Sequence, residues 1–140
     1  MAWQRFSQTT DVFDIGFLLQ SATITELSDG DVAAYDAPFP DDTFKAGARI
    51  FPSLVPTSPD DPAAPANAAA WEVFRSWDKP LICCFSDSDP VTAGGDAPFR
   101  KLVPGAADQP HVTIEGAHHF FQEDAGPQLA QLVIDAVHRG

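Results

Sequence analysis

The chain has 140 residues, 44% of them apolar, and a mean hydropathy of −0.11. That is enough chain for one domain with a sizeable core, and the composition is that of a globular protein rather than a disordered one. Twenty acidic against eight basic side chains leave a formal charge of −12. This argues against nucleic acid and anionic lipid as partners, since both are bound through basic faces that displace counterions.

No run of about eighteen apolar residues offers a membrane span. The opening Met1-Ala2-Trp3-Gln4-Arg5, with Ser7, Gln8 and Asp11 close behind, lacks the apolar stretch of a signal peptide. The expected location is the cytoplasm.

To about Phe39 the sequence reads as helices and turns. An aromatic segment around Trp3 and Phe6 comes first, then Phe13 to Leu19, then a short helix. Ser28 with Asp31 three residues on resembles a capping box and marks that helix's start; Pro38-Phe39-Pro40 ends it. A further helix is predicted from about Asp41-Asp42-Thr43 to Ile50, stopping ahead of Pro52. Five prolines between Pro52 and Pro65 mark the best boundary in the chain, stiffened rather than flexible.

Beyond the boundary, Ala70, Val73, Phe74 and Trp77 fall on one stripe of a helix predicted over Ala66–Trp77. Pro80 opens the apolar run Leu81–Phe85, which suits a strand buried on both faces. Cys83 and Cys84 are adjacent within it. Neighbouring cysteines bridge badly, and with no CxxC or zinc spacing they read as small core residues. After a loop, Ser86–Gly95, come a helix at about Ala97–Leu102, a stop at Pro104-Gly105, a strand at His111–Ile114 and a loop to Asp124. A last helix carries Leu129, Leu132, Val133, Ala136 and Val137 on one face. The fold class is therefore α/β, in which helices cover a parallel sheet. Two strands make a poor sheet alone, so the second half reads as the edge of a larger α/β domain.

Function in parallel sheets gathers in loops at the carboxyl ends of strands. The first such loop holds Asp87-Ser88-Asp89-Pro90; the second holds Gly116-Ala117-His118-His119. An acid loop followed by a histidine loop is the closing order of the α/β-hydrolase triad. Alternatives stand beside it. Asp87 or Asp89 would serve equally as a cap for the following helix or in an Asx turn before Pro90. A histidine at a strand end is commonly structural, and His118, His119, Glu123 and Asp124 lack any metal-ligand spacing.

Four stretches, in collinear order, resemble the haloalkane dehalogenases. They are Tyr35-Asp36-Ala37-Pro38-Phe39-Pro40, Lys45-Ala46-Gly47-Ala48-Arg49-Ile50-Phe51-Pro52, Phe85-Ser86-Asp87-Ser88-Asp89-Pro90, and His119-Phe120-Phe121-Gln122-Glu123-Asp124. The resemblance implies a partial α/β-hydrolase fold. Residues 1–58 would form the helical cap, and residues 59–140 the C-terminal part of the main domain with its last two parallel strands.

By the same resemblance, Asp89 matches the triad acid, His119 the base and Trp3 the cap tryptophan whose indole N–H holds the departing halide. Indole is a donor-only group suited to a weakly hydrated anion. Trp71 and Trp77 are read as core residues. The resemblance implies hydrolysis of a halogenated alkane to alcohol and halide without a cofactor, and the missing ligand spacing leaves no metal expected. The chain departs from the family in carrying neither a G-x-[SDC]-x-G elbow nor an Asp-Trp pair, so no nucleophile is found, and His118 stands where glycine is common.

The expectation is thus a C-terminal half that is inactive alone and accepts a haloalkane only if the missing half is supplied. Its open strand edges would invite pairing or aggregation. An epoxide or ester hydrolase of the same architecture, and a non-catalytic relic that pairs with another chain, are the rival expectations. The single tyrosine, Tyr35, sits in the proline-rich match rather than at a donor position, which counts against an epoxide hydrolase.

Overall fold

A computed structural model describes residues 2–139. The chain forms two compact units, one comprising the residues up to Leu18 with Leu27–Trp71, the other Leu19–Glu26 with the residues from Glu72 onward.

The first unit is helical. Helix α1 spans Ala2–Thr9, α2 (Ile15–Ser21) begins in this unit, α3 spans Asp29–Asp36, and α4 spans Ala46–Ile50 between 3-10 turns at Asp42–Lys45 and Phe51–Leu54. The predicted capping box is present. Ser28 Oγ accepts from the Asp31 amide at 3.2 Å, and Asp31 Oδ2 accepts from the Ser28 amide at 3.1 Å. The helix expected near Asp41 starts instead as a 3-10 turn, with Asp41 Oδ1 capping the Thr43 amide at 2.9 Å.

Phe13 and Ser7 are the buried centre of this unit. Helix α1 has no basic residue in its last turn. Arg49 of α4 supplies the cation, its Nη1 donating to the carbonyls of Ser7 (3.2 Å) and Thr10 (2.9 Å) while its guanidinium lies over the Phe13 ring.

Helix α5 spans Ala64–Phe74, two residues earlier than predicted, because Pro65 fits a helix's first turn. It stops short of Trp77. The amides of Ser76 and Trp77 close 3-10-type bonds to Val73 and Phe74, and the Trp77 carbonyl accepts instead from Gly105 at 2.8 Å. Trp77 is therefore not a core residue. It is 38% exposed, with Lys79 Nζ over its ring. Trp71 is half-buried.

The second unit holds the sheet. Strand β1 (Cys84–Ser86) pairs in parallel with β2 (Val112–Ile114), in the register Cys84↔Val112, Phe85↔Thr113 and Ser86↔Ile114. Helix α6 (Asp96–Leu102) and a 3-10 turn at Pro104–Ala106 make the crossover, and α7 (Phe121–Arg139) follows β2. The core gathers Cys83, Val103, Ala106, Ile114 and Ala117.

The expectation of a strand over Leu81–Phe85 buried on both faces is corrected. Only Cys83 is buried, and β1 itself is half-buried. Among the described residues β1 has one partner strand, so one edge and part of its faces stay open. At its start the ladder is replaced by other bonds: the Leu81 amide donates to the Gly105 carbonyl, and the Cys83 amide to His111 Nδ1 at 3.0 Å.

Helix α7 begins at Phe121 but is broken at Ala125 (φ −141°, ψ 34°). Pro127 has no amide to donate to the Glu123 carbonyl and its ring crowds that carbonyl, so the long helix starts only after the break. The predicted loop end at Asp124 coincides with that kink. No helix among the described residues is long and apolar enough to cross a membrane.

Candidate active site

The parallel register brings the ends of β1 and β2 to the same side, and the two loops that follow are fastened together. The amides of Asp87 and Ser88 donate to the carbonyls of Ile114 (3.0 Å) and Ala117 (3.2 Å). Asp87 Oδ1 accepts from the Gly116 amide at 3.0 Å, and Ser86 Oγ donates to the His118 carbonyl at 2.8 Å. Gly116 has φ +68°, a conformation that side chains with a Cβ adopt reluctantly. The Gly116 amide, joined by the Ser88 hydroxyl, holds the exposed Asp87 carboxyl below its ordinary pKa. Of the two acids in this loop, Asp87 is the staple.

Asp89 points the other way and is 4% exposed. Its Oδ1 accepts from the Val91 amide at 2.7 Å, the Asx turn that the sequence also allowed. Its Oδ2 accepts from the Thr92 hydroxyl and lies 3.0 Å from His119 Nδ1. One carboxylate thus makes the turn and meets the histidine. Burial pushes its pKa up, but bonds from Thr92, His119 and Val91, with the positive charge His119 can carry, outweigh it and hold the carboxyl at about 2.

His119 is partly exposed, its side chain 32% accessible, with the ring edge-on to Phe120 at 5.0 Å. With Asp89 on Nδ1, the proton belongs on that nitrogen, and Nε2 is left with a lone pair. A buried, ionised acid behind a half-open imidazole is an arrangement that can take a proton from water and stabilise the imidazolium that results.

The other histidines differ. His111 is structural: its Nδ1 accepts from Cys83 and its Nε2 donates to the Ala106 carbonyl at 2.9 Å. His118 uses its backbone, and its Nδ1 has no hydrogen-bond partner among the described residues. Both cysteines are free, and burial pushes each thiol's pKa up, with Asp96 adding to the effect at Cys83 and Arg100 opposing it.

Trp3 belongs to the other unit. It stacks on Phe6 at 5.4 Å and lies 6.3 Å from Phe13, is 46% exposed, and its indole N–H meets no acceptor among the described residues. No group of three or more His, Cys, Asp or Glu among the described residues is placed to hold a metal. Thr92 was not singled out from the sequence, and Asp124 was weighed there only as a metal ligand, not as a contributor to the acid–histidine pair. Thr92 had a usable signal, a hydroxyl three residues after the acid in a turn. Asp124 had none, because its partners lie near the other end of the chain.

No protein-family model matches the chain. It is 51% identical over 136 residues to the haloalkane dehalogenase of Psychrobacter cryohalolentis, covering 97% of this chain and 45% of that protein. Against haloalkane dehalogenase 1 of Mycobacterium tuberculosis it is 50% identical over 132 residues, covering 94% of this chain and 44% of the relative. Among solved structures it is similar to the tetrameric haloalkane dehalogenase DpaA from Paraglaciecola agarilytica. There the TM-score is 0.81 and the identity 27%, over 94% of this chain and 44% of that one. The chain thus spans a little under half the length of the relatives it matches. Identity near one half, sustained across almost every residue and matched by the fold, means that these 140 residues correspond in sequence and fold to the C-terminal half of the haloalkane dehalogenases, which is the C-terminal half of an α/β-hydrolase.

Proposed function

We propose that this chain supplies the acid–base pair of a hydrolase that cleaves carbon–halogen bonds, releasing an alcohol and a halide. The observation that carries the reading is the 3.0 Å contact between the buried, ionised Asp89 and His119. The nucleophilic carboxylate comes from the part of the family fold that this sequence does not contain. That carboxylate attacks the carbon bearing the halogen and forms an alkyl ester as the halide leaves with the bonding electrons. His119 Nε2 then takes a proton from water, the resulting hydroxide attacks the ester carbonyl, and the alcohol departs as the carboxylate is restored. Asp89 keeps the imidazole in the required tautomer and stabilises its charged form.

Trp3, with its free indole N–H in an aromatic wall, is the halide donor in this reading, residues 1–58 are the cap and residues 59–140 belong to the main domain. The substrate is a halogenated alkane. The partner is the complementary N-terminal part of the fold, which would cover the open edge of β1. Two free thiols, Cys83 and Cys84, fit a reducing cytoplasm.

The test is halide release from a haloalkane by the chain alone and by the chain mixed with the N-terminal part of the Psychrobacter cryohalolentis relative. The chain alone is expected to release none. The mixture is expected to release halide, and His119→Ala to abolish turnover while leaving the two polypeptides associated. Undiminished turnover by a His119→Ala mixture would overturn the assignment.

A further inference from the structure

We propose that Asp124 is a positioning residue for His119, acting through the backbone on both sides of the imidazole; the inference rests on the reading of His119 as the base. Asp124 Oδ1 accepts from the amides of Ile24 (2.9 Å) and Thr25 (2.7 Å), and Oδ2 accepts from the His118 amide at 2.8 Å. One carboxylate therefore ties residues 24–25 to the residue that precedes the histidine. The same segment holds the residue that follows it, since the Phe120 amide donates to the Ala22 carbonyl at 3.0 Å. His119 is bracketed by two fastenings, and one of them is this side chain.

Burial raises the Asp124 pKa, but the donors from Thr25, His118 and Ile24 outweigh it and keep the carboxyl below its ordinary range. An ionised carboxylate is acceptor-only at both oxygens, and this position presents a donor to each. Asparagine would set its own N–H₂ against either the His118 amide or the pair at Ile24 and Thr25, whichever way the amide turned. The bonds from Ser86 to the His118 carbonyl and from Phe120 to Ala22 would remain in that variant. The loop would persist while the imidazole lost its setting against Asp89.

The experiment is NMR of the full chain with labelled histidine, following the His119 Nδ1–H resonance and ring tautomer, with assignment by its loss in His119→Gln. In the wild type a protected Nδ1–H and a single tautomer are expected, and Asp89→Asn removes both signatures. Asp124→Asn is expected to lose the protected proton and to mix the tautomers while keeping the wild-type far-ultraviolet circular dichroism. Asp124→Glu, which keeps the charge on a longer arm, should restore part of the signal.

An Asp124→Asn chain with the wild-type resonance would overturn this inference and leave the acid–base reading intact. A wild type indistinguishable from Asp89→Asn would overturn that reading, and this inference with it. Unfolding of both Asp124 variants would also overturn the inference, by making Asp124 a support of the fold rather than of the imidazole.

Discussion

At the scale of single residues, the candidate site is a problem of keeping a buried carboxylate charged. Asp89 is nearly inaccessible, and desolvation alone would favour its neutral form. Three donors reverse the balance, one of them the Thr92 hydroxyl. The folded carboxyl titrates near 2 against an ordinary value of 3.8. It therefore contributes stability that is fully present above the unfolded value and is lost as pH falls from about 4 through 2, on the order of 2 kcal/mol. Thr92→Val, which keeps the shape and removes the donor, should raise the folded Asp89 pKa. It should cost about 1 kcal/mol at neutral pH and leave a smaller loss on acidification, as read by urea unfolding at stepped pH. A variant whose stability at neutral and acid pH matched the wild type would show that the hydroxyl contributes nothing to holding the charge.

At the scale of elements, backbone approach decides what each segment tolerates. A Cβ on Gly105 would lie 1.8 Å from the Lys79 carbonyl oxygen, where the chain leaving α5 crosses the turn after α6. Gly47, inside α4, has nothing within 4 Å of the same position. Gly105→Ala is therefore expected to destabilise by about 3 kcal/mol or more, and Gly47→Ala to stabilise by about 0.5–1 kcal/mol. Thermal unfolding of the two variants side by side tests the pair, and a similar shift in both would refute the crossing.

What the sequence revealed about these elements follows the range of the forces involved. Ser28 and Asp31 meet within one helical turn, so the start of α3 was legible, whereas the break in α7 at Ala125, ahead of Pro127, was not read from the sequence. Asp89 and His119 were legible because each follows a strand whose carboxyl end must carry the loop. The shortness of β1 was not, because His111 and Gly105 take the amides that a longer ladder would have used. Nor was the capping of α1 by Arg49, which no local pattern encodes.

At the scale of the whole molecule, charge and apolar exposure pull in opposite directions. A formal charge of −12 favours dispersal, yet Val133, Ile134 and Val137 on α7 are 57%, 46% and 72% exposed. Isolated chain is expected to bind an apolar dye and to associate with rising concentration in sedimentation. Added salt should strengthen the association by screening the repulsion, and Val137→Lys should weaken it. A dye-silent monomer at every concentration would mean that the α7 stripe is covered within the chain.

The Asp124 clamp spans a separation of 100 residues, so the loop it closes contains every element from α3 to β2. Closing so long a loop is entropically costly, though the cost grows only slowly with length. During synthesis Ile24 and Thr25 leave the ribosome long before the carboxylate that will hold them, so the clamp cannot form until Asp124 has followed. A single proteolytic nick in the proline-marked stretch between Pro52 and Pro65 would turn that intramolecular contact into one between two diffusing pieces. Chain continuity through a segment without chemistry of its own thereby becomes a condition for setting the histidine.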